Sequence, residues 1–398
     1  MFDEDAIVIT GVGVLTPLGN TFADVGAALR RDHCSILPCA HDPSIGESLI
    51  SDFEPTRYAE VRGMRVYNRT TQLAICAGRR ALQSAYWLRA SPPRELGVVM
   101  ASTFGHLDTL LEYDGSLARA GVRRTNPALM PLSLASASAA ATALALEAEA
   151  CAVTLAGDAP AALDALALAA RLLAVGRARA CVVVAAFSPL LALTQSARAA
   201  GKLASAEQFV VLDRSHAGTV FGEAAVAFVL ERDSIARTSG GRPLASLRGH
   251  AAANALTSEQ RASELQATCD RALQHARVAP RELALVSAGS NGTPAGDDAE
   301  ALALRALLGE AAATTPMCAV KGHCGEAMEA GGLLQVLLAL SVLESGFAPA
   351  IRHLKEPCRE GLGFVSRTAQ VSPGPVLISA TSEAGPCSAL VVDRPVLV

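Results

Sequence analysis

The chain alternates short, wholly apolar runs with longer segments whose apolar residues recur at helical spacing. Residues 6–10 read as a first strand, followed by Gly11-Val12-Gly13 and a turn at Pro17-Leu18-Gly19-Asn20. Helices are predicted over Phe22–Arg30 and over 70–88, the second with Leu73, Ala77, Ala81 and Ala85 on one face. Leu96–Ala101 is a further strand, leading into Ser102-Thr103-Phe104-Gly105. A helix near 134–146, a strand at 151–156, a helix at 161–175 and a strand at 181–186 complete a first series. Strands alternating with helices argue for an α/β protein with parallel or mixed sheets.

The alternation pauses at Thr238-Ser239-Gly240-Gly241-Arg242-Pro243, which has the composition of a linker. It then restarts with helices at 258–276, 298–308 and 332–345 and strands at 283–288, 376–380 and 388–392. A helix, a glycine and an apolar segment recur in that order at 161–186 and 332–351, the trace of an internal duplication. The expected division is a first half at 1–238 and a second at 243–398.

Composition narrows the possibilities. Hydrophobic residues make up 51% of the 398 and charged residues 18%, too apolar for a disordered chain. Against 38 acidic side chains stand 34 basic ones, so no basic field invites nucleic acid or anionic lipid. Lysine occurs only at Lys202, Lys321 and Lys355. The most apolar stretches, 155–175 and 331–343, are broken or bounded by Asp158, Asp164, Arg171, Gln335 and Glu344. They fall short of the roughly 20 apolar residues of a membrane span. The opening Met-Phe-Asp-Glu-Asp is acidic where a secretory leader is basic. The 10 cysteines follow no spacing pattern, as expected of reduced thiols in a cytoplasmic protein. His33, Cys34, Cys39 and His41, with Pro38 between, would wrap a tetrahedral ion badly, so a surface loop is expected and no metal. Gly11-Val12-Gly13 lacks the third glycine of a dinucleotide fingerprint.

Five landmarks carry a resemblance. The segment Ile7-Val8-Ile9-Thr10-Gly11-Val12-Gly13-Val14-Leu15-Thr16-Pro17-Leu18-Gly19-Asn20 resembles the start of β-ketoacyl-acyl-carrier-protein synthases. Asp213-Arg214-Ser215-His216-Ala217-Gly218-Thr219-Val220-Phe221-Gly222-Glu223 is similar to the family's Asp-x-x-Arg-x-Gly-x-x-x-Gly-Glu segment. Gly292-Thr293-Pro294 with Asp297 and Glu300, then Lys321 with Gly325 and Gly331, follow in family order. Residues 379–391 match the family's closing segment in placement and poorly in residues. The resemblance covers essentially the whole chain. It implies the thiolase fold, a duplicated pair of αβαβα halves in five layers.

Members of that family condense acyl chains with a cysteine at a helix N-terminus, whose positive end lowers the thiol pKa. Two histidines assist malonyl decarboxylation by stabilising the developing enolate. Carried over residue by residue, the nucleophile position, seventeen residues before Gly176, falls on Ala159, beside Asp158 as a candidate cap and Pro160 in the first turn. The first histidine position falls on Gly289 and the second on Glu326, while the family lysine is retained as Lys321. The gating phenylalanine position falls on Glu383. A methyl group carries no acyl chain. Glu326, Glu383 and Asp158 are expected to converge as an acidic cluster that repels malonyl carboxylates, at about 1–4 kcal/mol per like-charged pair.

Other candidates have plainer alternatives. Cys151 imitates a nucleophile motif, but it precedes the helix by eight residues and reads as a buried strand cysteine. His323-Cys324 is weighed as a relocated dyad, although sequence neighbours usually point apart. Asp297, Asp298 and Glu300 read as a helix N-terminus complementing its dipole, against a carboxylate site.

With Ala, Gly, Glu and Glu at the catalytic positions, the resemblance implies no catalytic residue, no metal and no cofactor of the chain's own. It is most like the chain-length factor of a type II polyketide or aryl-polyene synthase. Such a subunit pairs with an active ketosynthase and shapes the growing chain's tunnel. Phosphopantetheine would arrive only on a partner acyl carrier protein. Residues 125–137 and 151–156 are the expected interface. The alternatives are a divergent thiolase-fold acyltransferase or hydrolase using Glu326 or Glu383 as a homodimer, and a scaffold that docks acyl carrier protein.

Overall fold

The computed structural model describes residues 5–85 and 95–395. Ten principal strands are β1 (Ile7–Leu15), β2 (Leu96–Ala101), β3 (Cys151–Leu155), β4 (Ala180–Phe187), β5 (Ala224–Arg232), β6 (Ala245–Asn254), β7 (Leu285–Ser287), β8 (Pro316–Cys318), β9 (Val376–Thr381) and β10 (Pro386–Asp393). The main helices are α1 (Phe22–Arg30), α2 (Arg69–Ser84), α3 (Ala137–Ala145), α4 (Asp158–Ala174), α5 (Arg261–Ala276), α6 (Pro294–Leu308) and α7 (Glu329–Ser345).

All ten strands lie in one mixed sheet, with the two-residue strand Gly363–Phe364 extending it beyond β8. From its free edge the first half runs β3-β2-β4-β5-β1, and from the other side the second half runs β8-β7-β9-β10-β6. Counted within each half, both orders are 3-2-4-5-1, so the duplication is built into the topology. The halves join where β1 pairs antiparallel with β6, Val8 opposite Ser246 and Ile9 opposite Ala245. Within each half the second strand is parallel to both neighbours, and the fourth and fifth are antiparallel.

Burial follows the layers. The wholly apolar strands predict sheets covered on both faces, and alternate residues of β4 join different cores: Cys181, Val183 and Ala185 face one, Ala180, Val182 and Val184 the other. The inner core belongs to α4 and α7, which pack on each other between the two halves of the sheet. Helices α2 and α3 cover the outside of the first half, α5 and α6 the outside of the second. This is the five-layer αβαβα arrangement. Helix α7 is buried along its length, which accounts for its apolar residues on every side.

Several expectations shift. The first strand does not stop at Thr10 but continues through Gly11-Val12-Gly13 to Leu15. A Cβ on Gly13 would lie 1.9 Å from the Ala77 carbonyl oxygen, so the glycine lets α2 lie directly on the strand. Helix α2 ends at Ser84, and 86–88 lie outside the described residues. After α7 and Gly346 comes only the two-residue strand Phe347–Ala348; the counterpart of β4 is β9. Strands β5, β6 and β8 and the helices Leu107–Ala120 and Leu191–Ala199 are additional to the sequence expectation. The linker region follows the short helix Asp233–Thr238 and leads into β6. No helix among the described residues is long and apolar enough to cross a membrane.

Candidate functional site

The turn from β3 into α4 carries the first candidate. Gly157 caps the helix with φ +143°, and Asp158 opens it at φ +55°, a left-handed conformation that costs a non-glycine residue free energy. Asp158 makes no capping bond, contrary to expectation. Its carboxylate accepts from the Ser382 hydroxyl instead. Thr103, just beyond β2, holds the turn: its Oγ1 accepts the Gly157 and Asp158 amides at 3.2 and 3.1 Å. Ala159, buried, then sits at the helix start, and Pro160 occupies the first turn as predicted.

Four residues from separate parts of the sequence meet there. Ala159, Gly289, Glu326 and Glu383 line one cavity of about 190 Å³, together with Asp158, Ser382, Lys202 and Arg261. No cysteine or histidine lines it. Lys321 lies immediately behind its wall and is itself buried. Its Nζ donates to Glu326 Oε2 at 2.7 Å and to the Gly289 carbonyl at 2.8 Å, and Asn291 Nδ2 donates to the same Glu326 oxygen at 3.0 Å. At the mouth, Lys202 pairs with Glu383, both half-exposed, and Arg261 donates to the Glu383 carbonyl.

The three carboxylates converge on the cavity as expected. Each carboxylate has its own partner: Lys321 for Glu326, Lys202 for Glu383, Ser382 for Asp158. Two of the chain's three lysines are engaged here. Burial pushes the Asp158 carboxyl above its ordinary value, and the Glu326 charge adds to the effect. Lys321 forms a buried ion pair with Glu326 and stands behind the cavity wall.

Gly289 is shaped by its surroundings. A Cβ there would lie 2.8 Å from the Ser379 carbonyl oxygen and 3.3 Å from the Ala380 Cα, closer than real side chains come to backbone. Glu300 pins this loop from α6: Oε1 accepts the Gly289 amide and the Ser379 hydroxyl, Oε2 the Ser290 hydroxyl. Asp297 stands in the first turn of α6 as predicted, but its carboxylate accepts amides of Asn291, Gly292 and Leu212. Asp297 and Glu300 are thus loop anchors more than dipole partners, while Asp298 is exposed. Burial raises the Glu300 carboxyl despite its donors.

Sequence reasoning missed one buried acid. Glu329, the first residue of α7, is fully buried; Oε1 accepts the Thr103 amide at 2.8 Å, and Oε2 has no partner. Burial pushes it up to about 8. A glutamate at the head of an apolar helix was the available signal. Lys202 and Thr103 were missed too; the rarity of lysine pointed to the first, and nothing local to the second.

The remaining candidates lie elsewhere. Cys151 is half-buried at the start of β3, where a hydrogen bond with Cys181 lowers its thiol to about 7. It is not at a helix start and does not line the cavity. His323 is buried with its ring nitrogens 3.0 Å from the carbonyls of His33 and Ala350, and the Cys324 sulfur faces the Val320 carbonyl, so the two form no dyad. Around His33, Cys34, Cys39 and His41, as elsewhere among the described residues, no three metal-ligating side chains gather. One nitrogen of His250 faces both Asp164 and Ser388, whose hydroxyl also donates to Asp164; a nucleophilic triad needs both ring nitrogens.

Comparison with known proteins agrees with the fold. Residues 4–236 match the β-ketoacyl synthase N-terminal domain and residues 244–355 the C-terminal domain. The chain is 30% identical over 408 residues to a polyketide β-ketoacyl synthase 2 of Streptomyces halstedii, covering 97% of each. The ishigamide ketosynthase/chain length factor superposes with a TM-score of 0.88 at 22% identity, covering 98% of this chain and 100% of that one. A type II polyketide synthase ketosynthase, solved with its acyl-carrier protein, gives 0.87 at 20% identity, with 98% and 100% covered.

Proposed function

The chain belongs to the β-ketoacyl synthase family, and we propose that within it this protein is a non-catalytic subunit of the chain-length-factor kind. On this reading it pairs with an active β-ketoacyl synthase, completes that partner's structure and sets where the tunnel for a growing polyketide or polyene ends. Residues 1–238 and 243–398 are its two halves.

One observation carries the reading. The residues at the nucleophile, histidine and gate positions meet around a single cavity, and neither thiol nor imidazole lines it. The family's acyl transfer runs through a thiol and its decarboxylation through imidazole donors; this lining holds hydroxyls, Asn291, Arg261 and the ion-paired Lys202 in their place. Lys321 and Asn291 both hold Glu326 Oε2, and Oε1 has no hydrogen-bond partner among the described residues, so the rival carboxylate enzyme is decided by assay of the purified chain. The crowding at Gly289 supports a site rebuilt around the loss of a side chain, beyond a single substitution.

Pairing has its own support. Strand β3 is the free edge of the sheet, and an uncapped edge is a template for another strand. All five of its residues are exposed or half-buried, unlike those of β2 beside it. Leu144, on the α3 helix that packs beside it, is exposed, as are Met130 and Leu134 in the segment before α3; exposed apolar side chains suit a large obligate interface. We place the partner on 125–137 and 151–156. The acyl-carrier protein in the related complex makes a carrier protein the natural third component.

The test is coexpression with an active ketosynthase encoded beside this chain. Native mass should give a one-to-one complex, and product lengths should change with substitutions facing the tunnel. Malonyl decarboxylation or condensation by the purified chain alone would overturn the proposal, as would a stable monomer that never copurifies with a ketosynthase.

A further inference from the structure

A second cavity, of about 510 Å³, opens at the other end of α7. Its helix residues are Leu340, Leu343 and Glu344, so this cavity lies roughly 17–22 Å along the helix from Glu329. Its volume is within the range of about 300–1,000 Å³ typical of small-molecule sites. Nothing in the function argued above uses it.

Its walls divide by chemistry. Phe22 from α1, Leu244 before β6, and Leu340 and Leu343 from the last turns of α7 form an apolar wall. Around the rim stand Arg237, Arg242 and Arg394, with Glu344 as the one carboxylate in the lining among the described residues. Two of the three arginines are occupied. Arg394 donates from Nε and Nη2 to the Leu343 carbonyl at 3.0 and 2.8 Å, satisfying the end of α7, and Arg237 pairs with Asp233 at 2.8 Å. Arg242, exposed on the linker, has no ion-pair or hydrogen-bond partner among the described residues.

We propose that this cavity binds an anionic amphiphile: one alkyl chain of about eight to ten carbons against the leucines, its carboxylate or phosphate head on Arg242. The rim's excess of guanidinium over carboxylate selects the head's sign. The wall excludes a ligand that is polar throughout, since burying unpaired polar atoms is costly. Arginine presents a fork suited to either oxyanion, so head chemistry is left to the titration.

Calorimetric titration of the full chain with decanoate, decyl phosphate and decanol decides the matter. Both anions should bind, with decanol at least fivefold weaker, and the better anion identifies the head. Arg242→Ala should weaken both anions at least fivefold with an unchanged thermal midpoint. Leu244→Asn should weaken all three ligands. Equal affinity for decanol and decanoate, or indifference to Arg242→Ala, overturns the proposal. So does the absence of binding at millimolar ligand.

Discussion

Glu329 gives the sharpest prediction. In the folded protein its carboxyl is fully buried, accepts one amide and is pushed up to about 8, chiefly by burial. Unfolded, it returns to its ordinary value of 4.5. Between those values the folded state holds a proton that the unfolded state has lost, so this group's contribution falls as pH rises from 4.5 to 8. Each pH unit is worth about 1.4 kcal/mol, so the loss by pH 7 is on the order of 3 kcal/mol. Glu329→Gln keeps the shape and the acceptor for Thr103 but cannot ionise. The variant should match the native chain near pH 4.5 and exceed it increasingly towards pH 8. For a chain of this size the advantage at pH 7 is about 3–6 °C in Tm. Asp158 and Glu300, also raised by burial, are present in both chains; because the Asp158 charge adds to the Glu329 shift, the difference between the two Tm curves reports Glu329 together with its coupling to Asp158. The assay is thermal unfolding by circular dichroism from pH 4.5 to 8 at constant ionic strength. A difference that stays flat with pH, or a Gln variant less stable at pH 8, would refute a neutral buried Glu329.

Three further outcomes are expected. Lys321→Met leaves Glu326 buried without its cation and should cost about 3–5 kcal/mol, while Lys321→Met with Glu326→Leu should recover most of it, both read from unfolding midpoints. Gly289→Ala forces a Cβ onto the Ser379 carbonyl and should cost at least about 1 kcal/mol by overpacking, so an unshifted melting curve would contradict the crowded geometry. Ala152→Arg, an exposed change on the free edge β3, should leave the fold's Tm within about 1 °C yet abolish copurification with the ketosynthase partner.

Much of the architecture was visible as pattern. The uninterrupted apolar runs of β2 and β4 and the periodicity of α2 gave elements with the right type and nearly the right ends, because burial on both faces leaves a strong signal. The first strand was cut short because Gly11 and Gly13 signal a turn locally, whereas here they answer to a helix sixty residues away. The site was legible as positions and illegible as interactions. The family resemblance brought Ala159, Gly289, Glu326 and Glu383 together on paper. It could not show that Lys202 crosses to Glu383, or that Thr103 holds the turn before Ala159. Those contacts join residues far apart in sequence, and their geometry depends on how α4, α7 and the β9–β10 turn are packed. For the same reason three acids looked like a repulsive cluster until their partners were in view.

The scarcity of lysine has a practical side. Arginine carries nearly all the positive charge, so amine-selective reagents meet only three side chains. Lys321 is sealed inside, Lys202 bridges the mouth of the cavity, and Lys355 stands exposed away from it. Acetylation followed by peptide mass mapping therefore becomes a footprint with its own internal standards. Lys355 sets the full rate, Lys321 the background, and the yield at Lys202 reports how often the mouth is open, alone or with a bound partner.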